Sequence, residues 1–324
     1  MKKRRTKKKY RLKESAKRFL IYAGFGIILF IYTVNHTITL VKEYKYTKTH
    51  EYKLLQLGYN KNDTEMLLNN IEEKYLDPII EEEKTNNFYT SLVSQKYYIR
   101  DNYEKYLNYY KKHPTSPPSE IISIINTKGN EEWYKNTKEI KITDYKFLLN
   151  KFNYISKNYK PDNLVKINLQ TAYANQYAQE EVVNAYYEMH AKVKEELGIN
   201  LMVLYSYRSY EDQEKLYNEY TKVSIDYADT LCSRPGHSEH QTGLVLDLIS
   251  TKNQTLTKFL ESEEYKWLIN NAHNYGFIIR YPKDKYKITG YKSETNHFRY
   301  VGKEFATTLY NEQITLDEYI AYYN

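Results

Sequence analysis

The sequence predicts an α+β domain, a small antiparallel sheet flanked by helices, preceded by a transmembrane helix and a helical spacer module. Three observations predict this architecture. A charge-free apolar segment lies near the N-terminus, and apolar residues then recur at helical spacings for about a hundred residues. From about residue 158, helical and strand patterns alternate, with few strands. The 324 residues suffice for one globular domain and a smaller module.

The chain divides into four parts on these patterns. We predict a basic cytoplasmic tail over 1–18, a transmembrane anchor over 19–41, a helical stalk or spacer over 42–142 and the α+β domain over 143–324.

The net charge of +7 comes from the N-terminal tail. Residues 2–18 contain eleven Lys or Arg and one Glu, and the rest of the chain has 37 basic and 40 acidic residues. The folded part therefore offers no general basic surface, and we expect no nucleic-acid partner. Cys232 is the one cysteine, so no disulfide can form within a chain.

Residues 19–41 carry no charge, and their core from Phe19 to Val34 is almost wholly apolar. About 20 such residues cross the hydrocarbon layer as a helix. The preceding positive charges favour a cytoplasmic N-terminus and place the remainder outside the cell membrane. A cleavable signal peptide is the alternative, but no small-x-small cleavage site follows the apolar core, which favours a single-pass, uncleaved anchor.

Residues 42–142 read as several short amphipathic helices interrupted by a loop at 113–118, where three prolines cluster. No motif in this part carries chemistry. A spacer is the simpler interpretation, and a module that binds the cell wall or a partner is the alternative. The 39 tyrosines reflect a bias towards Lys, Asn, Ile and Tyr, although a tyrosine-lined binding surface would also use them.

The α+β domain has distinct element signals. Val182 to Leu197 place apolar residues on one helical face, and Gly198 is suited to end that helix. The run 201–204 predicts a buried strand, and Ser209 with Asp212 predicts the cap of a second helix. Further predictions are a strand leading into Asp247, a helix over 256–275 ended by Gly276, and a strand over 277–281.

The residues that carry chemistry lie in two segments. His240 and Asp247 are seven residues apart around Gly243, and Glu294 precedes His297 by three residues. Two imidazoles and a carboxylate can hold Zn²⁺ with one position left for water, and a further carboxylate can take the proton of that water. Spacing alone also fits ordinary polar residues of a strand, and the helical His-Glu-x-x-His arrangement is absent.

The segment Ser238-x-His240-x-x-Gly243-x-Val245-x-Asp247 resembles the signature of the VanY-like D-alanyl-D-alanine carboxypeptidases. That family shares its metal-site architecture with lysostaphin and the hedgehog signalling domain. Further blocks resemble it in the same order, at 207–213, 234–243, 274–282 and 297–302, so that the likeness covers roughly residues 145–320.

The resemblance implies a D,D- or L,D-carboxypeptidase that acts on peptidoglycan stem peptides with one zinc ion per chain. It implies His240, Asp247 and His297 as ligands and Glu294 as general base. Arg208 would face the oxyanion or the terminal carboxylate of the substrate. Ser238 and Gln213 would contact the end of the peptide. His237, three residues before His240, is not a ligand in this pattern, and Cys232 lacks the surroundings of a nucleophile.

Three departures from the family pattern concern the site. Ser206 stands where a glycine is expected, which would strain the backbone if the position needs a positive φ. Val245 replaces an alanine, and Thr295 and Asn296 replace Pro-Trp beside the base. We expect catalysis to survive these changes and substrate preference to be affected. A cross-link endopeptidase of the same family remains an alternative, as does a non-catalytic protein that binds or senses the wall.

Overall fold

A computed structural model describes residues 12–323. The chain forms two compact units, one ending at Arg100 and the other beginning at Asp101. The predicted basic tail falls mostly outside the described residues, because it covers 1–18. The predicted spacer, 42–142, is divided by the boundary at Arg100. Its helices after Asp101 belong to the same compact unit as the predicted α+β domain.

The first unit begins with a helix of 33 residues, α1 (Glu14–Tyr46). It is long and apolar enough to cross a membrane, and none of its residues is buried within the protein. Thr33 and Thr37 turn their hydroxyls back onto the carbonyls of Phe30 and Thr33 at 2.8 and 2.9 Å. These bonds satisfy the hydroxyl groups within the helix itself.

The rest of the first unit is a small group of short helices. Side chains of Thr49, Asn60 and Asn86 accept hydrogen bonds from backbone N–H groups and so start three of them. Leu54, Leu67 and Leu92 are fully buried in its core. The four helices are α2 (His50–Leu57), α3 (Lys61–Asn70), α4 (Leu76–Ile80) and α5 (Asn87–Val93).

The second unit contains ten α-helices and eight strands among its described residues, besides short 3₁₀ helices. The helices are α6 (Tyr103–Lys112), α7 (Pro118–Asn126), α8 (Glu180–Leu197), α9 (Tyr210–Thr221), α10 (Ile225–Leu231), α11 (Leu256–Leu260), α12 (Glu263–Asn271), α13 (Tyr286–Thr289), α14 (Lys303–Glu312) and α15 (Leu316–Tyr323). The strands are β1 (Lys138–Glu139), β2 (Asn153–Tyr154), β3 (Leu164–Lys166), β4 (Tyr177–Gln179), β5 (Leu201–Tyr205), β6 (Val245–Ser250), β7 (Phe277–Tyr281) and β8 (Glu294–Tyr300).

Strands β5 to β8 form one antiparallel sheet in the order β5-β6-β8-β7. Two further pairs, β1-β2 and β3-β4, stand apart from it. The predicted class, helices around a small antiparallel sheet, is therefore confirmed. The central strands β6 and β8 carry two of the three sequence-predicted ligands, Asp247 and His297, so the sheet is the scaffold of the candidate site.

Helix α8 packs its apolar face against the residues of this sheet. Val182, Tyr186, Met189 and Val193 are all fully buried in the same core as Leu246. Burial of one such side chain contributes roughly 1.5–3 kcal/mol. Together these contacts fix the helix on the sheet.

Most elements predicted for this domain are confirmed. Gly198 ends α8 with a φ of +67°, and the Ser209 hydroxyl accepts from the Asp212 N–H at the start of α9. The helix predicted over 256–275 is interrupted, because the Ser262 hydroxyl caps a new helix, α12, and the last turn before Gly276 is a 3₁₀ helix. A serine that bonds to the backbone in this way competes with helix continuation.

Lys151 is buried in an aromatic cage near the site, with 1% of its surface exposed. Its ammonium lies 4.6 to 5.5 Å from the ring centres of Tyr291, Tyr134 and Trp133, and donates to the carbonyl of Asp229 at 2.6 Å. Burial lowers the pKa of Lys151 to about 8. The buried ammonium is stabilised by three aromatic rings and a carbonyl, and no carboxylate of the described residues pairs with it.

The low pKa of Lys151 predicts a stability that rises with pH. Between about pH 8 and the unfolded-state pKa near 10.4, the unfolded chain binds more protons than the folded chain, so the free energy of unfolding increases by up to about 3 kcal/mol. Both tryptophans, Trp133 and Trp267, lie in the second unit, so their fluorescence reports its unfolding in urea.

The matched variants are Lys151→Met, which keeps the aliphatic stem, and Lys166→Met at an exposed lysine. Between pH 7.5 and pH 10, the free energy of unfolding of the wild type should rise relative to that of Lys151→Met. Lys166→Met should follow the wild type. Parallel pH curves for wild type and Lys151→Met would contradict the assigned pKa.

Candidate metal centre and substrate cavity

His240 is placed by a short 3₁₀ helix, Glu239–Thr242, that ends at Gly243 with a φ of +68°. A side chain at Gly243 would come within 2.8 Å of Leu164, so this tight return into β6 requires glycine. The ring of His240 is buried, and its Nδ1 lies 2.6 Å from the carbonyl oxygen of Ser206. A carbonyl can only accept, so Nδ1 carries the proton and Nε2 is free to bind a metal ion.

Asp247 and His297 are brought together by strand register. They are direct partners in the antiparallel pair of β6 and β8, although fifty residues separate them in the chain. Directly opposed side chains on one face of such a pair are close neighbours. Between His240 and Asp247 the chain thus completes the 3₁₀ turn, passes through Gly243 in a left-handed conformation and enters β6.

Asp247 lies between the two imidazoles. Its Oδ2 is 3.4 Å from His240 Nε2, and its Oδ1 is 3.0 Å from His297 Nδ1. One ligand atom from each of the three side chains lies within 4.8 Å of the others. The structure therefore assembles the three predicted ligands at one point.

The donor set fits a zinc ion. Asp247 Oδ1 and His297 Nδ1 are buried and have no hydrogen-bond partner in the described part of the chain, although they face each other. Buried polar atoms normally have partners, and a cation between these two would supply one. Two imidazole nitrogens and one carboxylate oxygen, with a side open to a cavity, match the ligands of catalytic zinc.

The pKa shifts of two of the three predicted ligands, His240 and Asp247, favour metal binding, because both side chains stay in the deprotonated form that binds a metal ion. Burial lowers the pKa of His240, and the imidazoles of His240 and His297 hold the pKa of Asp247 well below its usual range against the effect of burial. Burial alone would lower the pKa of His297, but its contacts with Asp247 and Glu239 raise it to about 9. A metal ion that binds His297 therefore displaces a proton from this ring.

Glu294 begins β8, and its Oε2 lies 3.7 Å from His297 Nδ1. Residues three apart in a regular strand point to opposite faces, but the pairing of β7 and β8 is irregular between Ile279 and Tyr281, and both Glu294 and His297 line the cavity. The side chain of Glu294 is 39% exposed to the cavity. Burial nevertheless raises its pKa to about 7, a value suited to proton transfer.

Arg208 lies on the cavity wall and is held from two sides. Its Nη1 donates to Gln213 Oε1 at 2.8 Å, and its guanidinium lies 5.7 Å from the ring centre of Tyr205. Gln213 is 1% exposed and donates through Nε2 to the carbonyl of Ser233 at 2.7 Å. With both ends of its amide engaged, Gln213 is better placed to orient Arg208 than to contact a peptide.

The cavity has a volume of about 530 Å³, and Ser238 lies on its wall with 4% exposure. All seven sequence-predicted site residues line this cavity. Its lining is completed by Leu204, Tyr205, Asp212, Leu216, Tyr220, Leu231, Cys232, Ser233, Glu239, Leu256, Tyr281, Tyr291 and Asn296.

The departures from the family pattern have different consequences. Ser206 is absent from the residues with positive φ, so its backbone is unstrained, and its hydroxyl accepts from the Tyr177 N–H and donates to Gln176. Val245 is fully buried. Asn296 lines the cavity beside Glu294, where the family has a tryptophan, so the substitution changes the cavity wall itself.

His237 and Cys232 have structural surroundings. His237 Nδ1 lies 2.8 Å from the carbonyl of Asn150, outside the ligand cluster. Cys232 is buried, and burial raises its pKa to about 11, so little thiolate is present near neutral pH. Neither residue contributes to the metal centre.

Sequence reasoning missed the role of Glu239, which lies between Ser238 and His240 in the motif. Glu239 is fully buried and pairs with Arg280 and Arg299 at 2.9 Å each. A signal was present in the sequence, because an arginine stands inside each of the apolar runs 277–281 and 297–301. Arginine within a buried strand requires a buried anion.

Comparison with known proteins agrees with this geometry. The family model VanY, D-alanyl-D-alanine carboxypeptidase, matches residues 175–303, which include the three predicted ligands, Glu294 and Arg208. The bifunctional D-Ala-D-Ala dipeptidase and D-Ala-D-Ala carboxypeptidase VanXYC of Enterococcus gallinarum is 32% identical over 180 residues, which are 54% of this chain and 93% of VanXYC. The chain belongs to the VanY family.

Two further proteins are similar to this VanY family member. The putative carboxypeptidase YodJ of Bacillus subtilis (strain 168) is 37% identical over 179 residues, 53% of this chain and 65% of YodJ, so the match spans just under two thirds of YodJ. The solved structure of the LdcB LD-carboxypeptidase superposes with a TM-score of 0.54 at 32% identity, and covers 59% of this chain and 92% of LdcB.

The assembled triad predicts how variants bind zinc. His240→Ala and His297→Ala should each lose zinc affinity by more than about 100-fold, because each removes a ligand. Glu294→Ala should keep the metal, since its carboxylate is not one of the three clustered ligands. Competition with a chromophoric chelator and elemental analysis of the purified protein measure both.

His273→Ala is the control, because His273 stacks on Tyr310 at 3.8 Å and lies outside the ligand cluster. It should bind zinc as the wild type does. Stoichiometric, tightly bound zinc in His240→Ala would show that the metal site is assigned to the wrong residues.

Proposed function

We propose that this protein is a zinc-dependent carboxypeptidase that removes the C-terminal D-amino acid from peptidoglycan stem peptides. The observation that carries the proposal is the convergence of His240, Asp247 and His297 beside Glu294 on the wall of one cavity. Membership of the VanY family supports the reaction class, and the names of VanXYC and LdcB support the substrate class.

The three ligands would hold zinc, which when bound acidifies water and polarises a carbonyl group. Glu294 takes the proton of the attacking water while the water oxygen forms a bond to the peptide carbon. The carbon–nitrogen bond then breaks, and Glu294 returns the proton to the departing amine of the D-residue. Its position beside His297 and its pKa of about 7 suit both transfers.

Arg208 supplies the positive charge for substrate recognition. The contact with Gln213 and the ring of Tyr205 fix the plane of its guanidinium, so one face of the fork remains for a carboxylate or a developing oxyanion. Ser238 lies on the wall of the same cavity, which supports a role in contacting the peptide end. Gln213 orients Arg208 by accepting its hydrogen bond and so affects substrate binding indirectly.

Residues 19–41, within α1, anchor the chain in the cytoplasmic membrane, with the basic tail inside and the second unit outside. The length and apolar surface of α1 and the eleven positive charges before residue 19 support this orientation. The stem peptides of the wall lie on that outer side, so topology and substrate agree. Of the predicted spacer, 42–142, we propose that the part in the first unit, 42–100, links the anchor to the enzyme.

The first test is the release of D-alanine from defined stem peptides by the full-length protein in detergent. Mass spectrometry should show loss of one alanine with zinc and none after chelation. A pentapeptide ending in D-Ala-D-Ala and a tetrapeptide with a single terminal D-Ala separate D,D from L,D specificity, and dimeric muropeptides reveal endopeptidase activity. A zinc-loaded protein that cleaves none of them is a binding protein instead.

The assignment of the base makes a second prediction. Glu294→Gln should lower kcat by about 10²–10⁴, the usual contribution of a positioned general base, while zinc content stays unchanged. Glu261→Gln, at an exposed glutamate, is the matched control and should retain full activity. Unchanged kcat in Glu294→Gln would assign proton transfer to another group.

Arg208→Lys should lower kcat/KM by about 10- to 100-fold, because lysine keeps the charge and loses the planar fork. A rise in KM alone would indicate a contact to the substrate carboxylate, and a fall in kcat alone a contact to the oxyanion. Arg100→Lys, in the first unit, is the control. Wild-type kinetics in Arg208→Lys would remove Arg208 from the substrate site.

A further inference from the structure

A buried network of four charges lies directly behind the metal centre. Arg280 donates through Nε to Glu239 Oε1 at 2.9 Å and pairs through Nη1 with Asp317 of α15. Arg299 Nη1 lies 2.9 Å from the same Glu239 oxygen. All four side chains are at most 1% exposed. Two positive and two negative charges thus balance in the interior.

Glu239 has two oxygens with different surroundings. Oε1 faces both arginines, whereas Oε2 is buried and has no hydrogen-bond partner among the described residues. The atom opposite Oε2 is His297 Nε2, at 3.7 Å, which is buried and equally without a partner. The two atoms face each other across a gap slightly longer than a hydrogen bond.

The two arginines fix the chemical state of Glu239. Arginine does not deprotonate in proteins, so a carboxylate held between two of them stays an anion and can only accept hydrogen bonds. The ring nitrogen that faces this anion must then be the donor. When a metal ion displaces the other ring proton, the lone pair of His297 is therefore on Nδ1, the atom that approaches Asp247 and Glu294.

We propose that Glu239 is a positioning residue that selects the tautomer and orientation of His297 for zinc, with Arg280 and Arg299 holding Glu239 in place. Carboxylates behind metal-binding histidines raise the basicity of the ligand and fix its ring. The inference rests on the proposed zinc site, but it concerns metal binding and not turnover.

The variant Glu239→Gln tests this proposal. The amide oxygen would face the two arginines, so the amide NH₂ would face His297 Nε2 and favour a proton on Nδ1, where the metal binds. We expect zinc affinity to fall by about 10- to 100-fold. The absorption spectrum of the cobalt-substituted protein should change as well, because the ring is no longer held.

Asp317→Asn is the matched control. It removes the other carboxylate partner of Arg280 from the same buried network, but Asp317 makes no contact with His297 in the described structure. Both variants should lower the urea midpoint of the metal-free protein, and only Glu239→Gln should weaken zinc binding. Equal zinc affinities in the two variants would overturn the proposal, since the network would then be structural only.

A zinc-loaded crystal structure of the wild-type protein tests the same point if Glu239→Gln does not fold. His297 should bind the metal through Nδ1 with Nε2 hydrogen-bonded to Glu239, and ligation through Nε2 would overturn the proposal. The outcomes are separable from those of the proposed function. Zinc held in this way by a protein that releases no D-alanine would refute the carboxypeptidase activity alone.

Discussion

The candidate site depends on the register of one pair of strands. Because β6 and β8 are antiparallel neighbours with Asp247 opposite His297, two residues fifty positions apart become adjacent. A shift of one residue would turn Asp247 to the other face of the sheet and separate it from both imidazoles. The fully buried Leu246 and Phe298, which pair in the same register, resist such a shift since it would move them out of the core.

The same register determines what lies behind the site. Arg299 follows His297 by two residues in β8, and Arg280 stands in the neighbouring strand β7, so both guanidinium groups reach Glu239. Buried arginines are costly unless they are paired. The protein thus places a costly cluster of buried charges in its core next to His297, a predicted metal ligand, and this position supports a role for Glu239 beyond stability.

Much of this could be predicted from the sequence, because the signals are local. The periodicity of Val182 to Leu197, the stop at Gly198 and the cap at Ser209 each involve a few adjacent residues, and the structure has the elements they predict. The ligand set came from motif resemblance and not from spacing. The interruption at Ser262 was missed because a capping serine and an exposed helical serine look the same in a sequence. The pairing of Glu239 with two arginines depends on strand order, which no local pattern encodes.

The single cysteine, Cys232, lies on the cavity wall, so its chemical modification reports the accessibility of that wall. Cys232 Sγ lies 3.2 Å from Gln213 Nε2, and Gln213 in turn holds Arg208. The thiol is 6% exposed and its pKa is about 11, so alkylating reagents meet neither an accessible nor an ionised sulfur while the wall is closed. Since the chain has no other cysteine, the rate of its modification reports the accessibility of this part of the cavity wall, without any engineered label.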